Sequence, residues 1–251
     1  MVSTVVTGVM LPFIGTALGS GAVFFVKKHR GIALTDCLSG FAGGVMLAAS
    51  LWSLLLPSIE EGATLGRLSF VPSAVGFMIG IAFMLLCERL IERLETDNGT
   101  VNFRSRLTTA FAVTVHNFPE GLAVGLVYAT LMDNNNPVAV AGAISLSLGI
   151  AVQNIPEGAI VSLPLYSDRG GRVKPFLYGV LSGAVEPIAA VTAILCVSFF
   201  SPLMAYFLSF AAGTMIFVVM EELADEMHGK RGMLFFALGF VVMMSLDVAL
   251  G

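Results

Sequence analysis

Charge is what this chain of 251 residues has least of: Asp, Glu, Lys and Arg make up 12% of it, against roughly 25% in an ordinary soluble domain. So few charged groups cannot coat a water-facing globule of this size, and a soluble fold is excluded on that ground. Cysteine is also scarce. Cys37, Cys87 and Cys196 stand far apart in apolar stretches, so they form neither a disulfide framework nor a CxxC metal site, and they read as small buried hydrophobes. No long run of Lys or Arg is present, which removes nucleic acid as a partner, because nothing could displace the counterions of a phosphate backbone. Polar connections are short and leave no room for a soluble domain. What remains is apolar: 57% of the residues are hydrophobic and the mean hydropathy is +0.91, as expected of a protein whose solvent is lipid.

Apolar runs of about the 20 residues needed to cross a bilayer core lie near 4–26, 33–56, 70–88, 107–132, 137–165, 175–200, 203–220 and 232–250. They predict an all-α membrane protein of eight transmembrane helices, one domain over residues 1–251. A β-barrel is excluded, since the runs are about twice the length of barrel strands and do not alternate. The first run has no basic leader and is followed by Lys27, Lys28, His29 and Arg30, so it reads as a span and not as a cleaved signal. Sorting the basic residues by loop puts Lys27, Lys28, Arg30, Arg89, Arg93, Arg104, Arg106, Arg169, Arg172, Lys174, Lys230 and Arg231 on one side and Arg67 alone on the other. The positive-inside bias makes the twelve cytoplasmic and both termini extracytoplasmic. Small-residue pairs, Gly76 with Gly80, Gly121 with Gly125 and Gly179 with Gly183, permit close helix approach and identify no function by themselves.

An ionised group at the bilayer centre costs about 2.5–3.5 kcal/mol on insertion scales, so each one needs a reason. Bisecting the fourth span places His116, Asn117 and Glu120 at its middle. Bisecting the fifth does the same for Gln153 and Asn154, with Glu157 about 7 Å further along at 1.5 Å per residue, and the centre of the sixth falls beside Glu186. Three carboxylates therefore share one depth with no Lys or Arg to pair them. Each alone could be a protonated hydrogen-bonding group between helices; together they are neutralised by protons, by a cation, or by both in turn.

The segments around them repeat. Residues 115–126 read VHNFPEGLAVGL and residues 152–163 read VQNIPEGAIVSL, identical at seven of twelve positions. Spans four and five run in opposite directions, which relates the two segments by an approximate two-fold axis in the membrane plane, a usual place for a transporter's binding site. His116 and Glu120 are four residues apart and share a helix face, as do Gln153 and Glu157. Pro119 and Pro156 deny hydrogen bonds to the carbonyls of Val115 and Val152 and are expected to kink their helices, leaving those carbonyls to line a cavity. Imidazole nitrogen, carboxylate oxygen and amide oxygen together suit Zn²⁺, Fe²⁺ or Mn²⁺ better than Ca²⁺ or Mg²⁺. Met46, near the middle of span two, is either a soft ligand for Zn²⁺ or Cd²⁺ or core filler.

With HNFPEG at 116–121, QNIPEG at 153–158 and VEP at 185–187, the chain resembles the ZIP family of divalent-metal transporters over all eight spans. The resemblance implies a site between helices four and five that can hold two ions bridged by the motif glutamates. By position it assigns His116, Asn117, Glu120, Gln153, Asn154, Glu157 and Glu186 as ligands, with Met46 a weaker one. It further implies a homodimer in the cell (inner) membrane that moves metal toward the cytoplasm, helices one, four, five and six shifting against the rest, with no cofactor beyond the transported ion. Many members have His where Gln153 stands; this exchange is similar to the GufA-like prokaryotic branch and removes a nitrogen donor. Many also have a histidine-rich stretch between helices three and four, whereas residues 94–105 contain no His.

A second acidic group, Glu221, Glu222, Asp225, Glu226 and His228, closes span seven, with Asp36 at similar depth. It is either a solvated rim or an exit path to the cytoplasm. A proton- or Na⁺-coupled antiporter would also use carboxylates at the midplane, but it has no need of His116 and paired amides at ligand spacing. An intramembrane metalloprotease is excluded, since HExxH requires Glu directly after the first His and Asn117 stands there.

Overall fold

The computed structural model describes residues 2–25, 32–94, 103–133, 137–166, 171–196, 203–224, 227 and 229–250. Among them are ten α-helices and no β-strand. The helices are α1 (Val2–Ser20), α2 (Ile32–Ala49), α3 (Leu56–Glu61), α4 (Phe70–Leu94), α5 (Phe103–Asp133), α6 (Pro137–Leu165), α7 (Val173–Gly183), α8 (Val185–Leu195), α9 (Met204–Val218) and α10 (Lys230–Leu250). Seven helical stretches are long and apolar enough to cross a membrane: Val2–Phe24, Asp36–Glu61, Phe70–Leu90, Val140–Leu163, Val173–Leu195, Met204–Glu221 and Lys230–Ala249. They fall on seven of the eight expected runs. On the remaining one lies α5, whose 31 residues span about 46 Å at 1.5 Å each.

Three irregularities were not expected from the apolar pattern. The sixth run is not one helix but two, divided at Ala184, whose N–H turns back to Leu181 O at 3.2 Å. Pro187 supplies the reason, because it has no N–H to offer the carbonyl of Gly183. Pro119 and Pro156 deny the same bond, yet α5 and α6 continue through them as single helices. Spans two and seven each contain a π-turn, Ser50–Leu55 and Val219–Leu223, which inserts an extra residue and rotates every side chain beyond it. The cysteines correct another expectation, that of burial: Cys196 is exposed, and Cys37 and Cys87 are only half-buried. An apolar neighbourhood in sequence is satisfied by a lipid-facing surface as well as by a core.

Packing divides the helices into two bundles. One holds α1, α5, α6, α7 and α8, with α1 laid along α6 and α5 along α8; the other holds α2, α3, α4, α9 and α10, with α2 along α10 and α4 along α9. Missing side chains allow this closeness. A Cβ on Gly15 would strike the carbonyl of Ala151, and one on Gly121 that of Glu186; in the second bundle Gly44 lies as tightly on Phe236 and Gly80 on Phe210. Among the described residues, every glycine pressed against another helix's backbone is pressed within its own bundle. The bundles meet where α2 and α10 cross α6 and where α9 crosses α5. At that seam the atoms nearest Gly149 of α6 belong to the Met243 side chain.

Candidate metal centre

The two repeated segments occupy corresponding places in α5 and α6. Asn117, Pro119, Glu120 and Gly121 are buried, as are Asn154, Pro156, Glu157 and Gly158, while the residue between Asn and Pro, Phe118 or Ile155, is exposed. The helical period accounts for this: the polar residues take the inner face and the one variable apolar residue turns outward. Gly121 lets α5 approach α8 at Glu186, and Gly158 lets α6 approach α1 at Thr16. The glycine that follows each glutamate thus brings a third helix up to the site.

Both asparagines are held in the same manner. Asn117 Nδ2 donates to the Ser182 carbonyl of α7 at 3.3 Å, and Asn154 Nδ2 donates to the Pro12 carbonyl of α1 at 3.3 Å. Gln153 Nε2 donates to Glu120 Oε1 at 2.8 Å, linking the two motifs directly. Thr16 Oγ1 donates to Glu186 Oε1 at 3.0 Å. In each case one polar atom of the side chain is bonded to the protein and an oxygen is left over. Asn117 Oδ1, Asn154 Oδ1, Gln153 Oε1, Glu120 Oε2 and Glu186 Oε2 are buried without a hydrogen-bond partner among the described residues. A buried acceptor left unpaired costs about 1–3 kcal/mol, so five on neighbouring helices describe a place suited to a cation. The fixed amide nitrogens decide which atom of each amide is available, and it is the one with lone pairs.

Electrostatics favour the same occupant. Glu120 and Glu186 are close enough to repel one another, as are Glu186 and Glu157, and none of the buried residues described is a Lys or Arg. Among the described residues no three His, Cys, Asp or Glu side chains converge tightly enough to hold one ion. The carboxylates are neighbours in pairs, Glu120 with Glu186 and Glu186 with Glu157. His116 belongs to α5, but its side chain lies outside the described residues. Met46 is fully buried in the main apolar core.

The second acidic group is not assembled in the same way. Asp36 is buried, with Oδ1 unpartnered among the described residues and Gly232 of α10 against it, whereas Glu221 is exposed on the π-turn. The side chain of Glu222 and residues Asp225, Glu226 and His228 lie outside the described residues.

Two polar features were not anticipated. Thr16 is one, since a threonine in an apolar run carries no mark distinguishing it from packing. The other is Asp247, whose Oδ1 accepts from Ser53 Oγ at 2.8 Å and from Ser145 Oγ at 3.4 Å. With Glu60 and Glu61 it lines a cavity of about 470 Å³ that lies between the two bundles. A lone acid inside the eighth apolar run was the available signal.

The chain is similar to known proteins along most of its length. The family model described as ZIP Zinc transporter matches residues 95–247, a stretch that includes both motifs and Glu186. Zinc transporter ZIP11 of Xenopus tropicalis is 34% identical, over 97% of this chain and 96% of that protein. Zinc transporter GufA of Myxococcus xanthus is 31% identical over 94% and 96% of the two chains, and Zinc transporter ZIPB of Bordetella bronchiseptica 32% over 98% and 84%.

Proposed function

The chain belongs to the ZIP family of zinc transporters, and from that premise we propose that it carries divalent transition-metal ions, Zn²⁺ foremost and also Cd²⁺, Fe²⁺ or Mn²⁺, toward the cytoplasm by alternating access. It is a multi-pass membrane transport protein and not an enzyme. In the proposed topology the whole chain is one unit of eight spans, α5 included, with both termini extracytoplasmic, and two copies form a homodimer. The ions bind at the midplane between α5 and α6, held as one or two ions by His116, Asn117, Glu120, Gln153, Asn154, Glu157 and Glu186, with Met46 a weaker contributor. Asp36 and the acidic end of span seven serve as an exit.

What carries this reading is the set of five buried oxygens without a hydrogen-bond partner among the described residues, each on a side chain whose other polar atom is already bonded to the protein. Such a set attracts a cation and repels an anion, and it discriminates against Na⁺ only weakly unless imidazole takes part. The two bundles supply a means of movement. Backbone-to-backbone glycine contacts hold each bundle together, while the seam has a flexible side-chain contact and an acidic cavity. The seam, filled by side chains of both bundles, is where the movement that alternating access requires would take place.

The deciding experiment is uptake by proteoliposomes of Zn²⁺, Cd²⁺, Fe²⁺ and Mn²⁺, with and without a pH gradient, for the native chain and for Glu120→Ala and Glu157→Ala. Native protein is expected to take up metal and each variant to lose flux while remaining folded in detergent, because each removes an anionic oxygen that offsets the divalent charge. Metal uptake at the native rate by a well-assembled Glu120→Ala protein overturns the site. Uptake that rises steeply on acidification identifies proton cotransport.

A further inference from the structure

We propose that Thr16 of α1 is a positioning residue for metal transport, its hydroxyl fixing one oxygen of Glu186 so that the other is aimed at the ion. The inference rests on the reading of Glu186 as a ligand given above. Thr16 is fully buried, and its Oγ1 lies 3.0 Å from Glu186 Oε1 and 3.4 Å from its own helix's Pro12 carbonyl. The carboxylate contact is shorter and the carboxylate the stronger acceptor, so the single hydroxyl proton is directed there. Glu186 Oε2 has no hydrogen-bond partner among the described residues. The Asn154 amide also acts on this carboxylate, but Thr16 makes the close bond to one oxygen while its twin has no partner within hydrogen-bond distance, the arrangement by which outer groups orient a ligating carboxylate.

The hydroxyl's place is set by backbone. A Cβ on Gly158 of α6 would strike the carbonyl of Thr16, and a Cβ on Gly183 of α7 would come within 2.7 Å of Thr16 Cβ. Thr16 is thus held between two helices at positions where neither carries a side chain, and β-branching restricts its rotamer further. The same turn of α1 holds a second group, because the Pro12 carbonyl accepts from Asn154 Nδ2 at 3.3 Å. A helix segment with no charged residue, VSTVVTGVMLPFIGTALGS, thereby sets the orientation of two of the polar residues on its neighbours α6 and α8.

The test compares Thr16→Val, which keeps the shape and removes the hydroxyl, with Thr16→Ser, which keeps the hydroxyl and removes the methyl. Both are assayed in the full chain for Zn²⁺ uptake in proteoliposomes and for equilibrium Zn²⁺ binding in detergent, with Thr16→Ala replacing Thr16→Val if that variant does not assemble. The half-saturation concentration is expected to rise roughly ten- to hundredfold without the hydroxyl and to stay near native in Thr16→Ser. Native half-saturation in Thr16→Val, or an equal loss in Thr16→Ser, overturns the proposal, the latter because shape and not the hydroxyl would then be what matters. Glu186→Gln is run alongside. If it too binds and transports as the native chain does, the reading of Glu186 as a ligand falls and takes Thr16 with it; if it is impaired while Thr16→Val is native, only the inference about Thr16 fails.

Discussion

At the scale of single residues, Gln153 is the side chain whose chemistry is most open to adjustment. Its nitrogen is committed to Glu120 and its oxygen is unpartnered among the described residues, so in the proposed site it offers a hard donor where many relatives are expected to offer imidazole. An imidazole at this position can keep the hydrogen bond to Glu120 through one ring nitrogen and present the lone pair of the other. Gln153→His is therefore expected to raise the preference for Zn²⁺ over Mn²⁺, and competition uptake with both ions present reads the ratio independently of protein amount. An unchanged ratio in a folded variant removes Gln153 from the ion's ligands. Met46→Ala gives the complementary result, a larger loss of Cd²⁺ than of Mn²⁺ uptake, if its thioether is a ligand; an equal loss of both assigns Met46 to the core in which it is buried.

At the scale of helices, the break at Ala184 decides where Glu186 points, since it stands in the first turn of α8, beyond the break. Pro187→Ala restores the missing N–H and is expected to favour one continuous helix from α7 into α8. Pro187 stands in the first turn of α8, where proline is tolerated, so thermal stability is expected to hold or rise slightly while Zn²⁺ flux falls, the carboxylate having been turned away from Thr16. Flux at the native level in a stabilised variant shows that the break has no part in transport. This element also marks the limit of what the sequence made legible. The repeated NxPEG segments identified the helix pair and the inward Asn and Glu, because two copies of one pattern carry more information than either alone; the Gln153–Glu120 bond that links them was not foreseen. Three prolines beside three glutamates, however, look alike in sequence, and only Pro187 interrupts its helix in the structure, where α8 leans on Gly121 and Gly125. The π-turns at Ser50–Leu55 and Val219–Leu223 have no compositional signature. The cysteines were misread because an apolar run does not record which of its faces meets lipid.

At the scale of the whole molecule, the seam between bundles is expected to move. In a chain whose Cys37, Cys87 and Cys196 are replaced by Ser, paired cysteines at Gly149 and Met243 lie within reach of a short bis-methanethiosulfonate, which bridges them through two reducible disulfides, since a Cβ at 149 would stand 3.8 Å from Met243 Cγ. Cross-linking is expected to stop Zn²⁺ uptake and reduction to restore it, whereas uptake that persists in the cross-linked protein shows that the bundles need not slide. The membership of those bundles also constrains how the molecule is made. Each is assembled from segments far apart in the chain: α1 lies against α6 and α7, and α2 lies against α10. As helices leave the ribosome and enter the bilayer in order, α1 must wait for α6 and α7, and α2 for α10. During that interval Thr16, Ser20 and Asp36, each buried in the finished protein, have lipid or the insertion machinery as their surroundings. Biogenesis, and not only transport, therefore depends on the helices that arrive last.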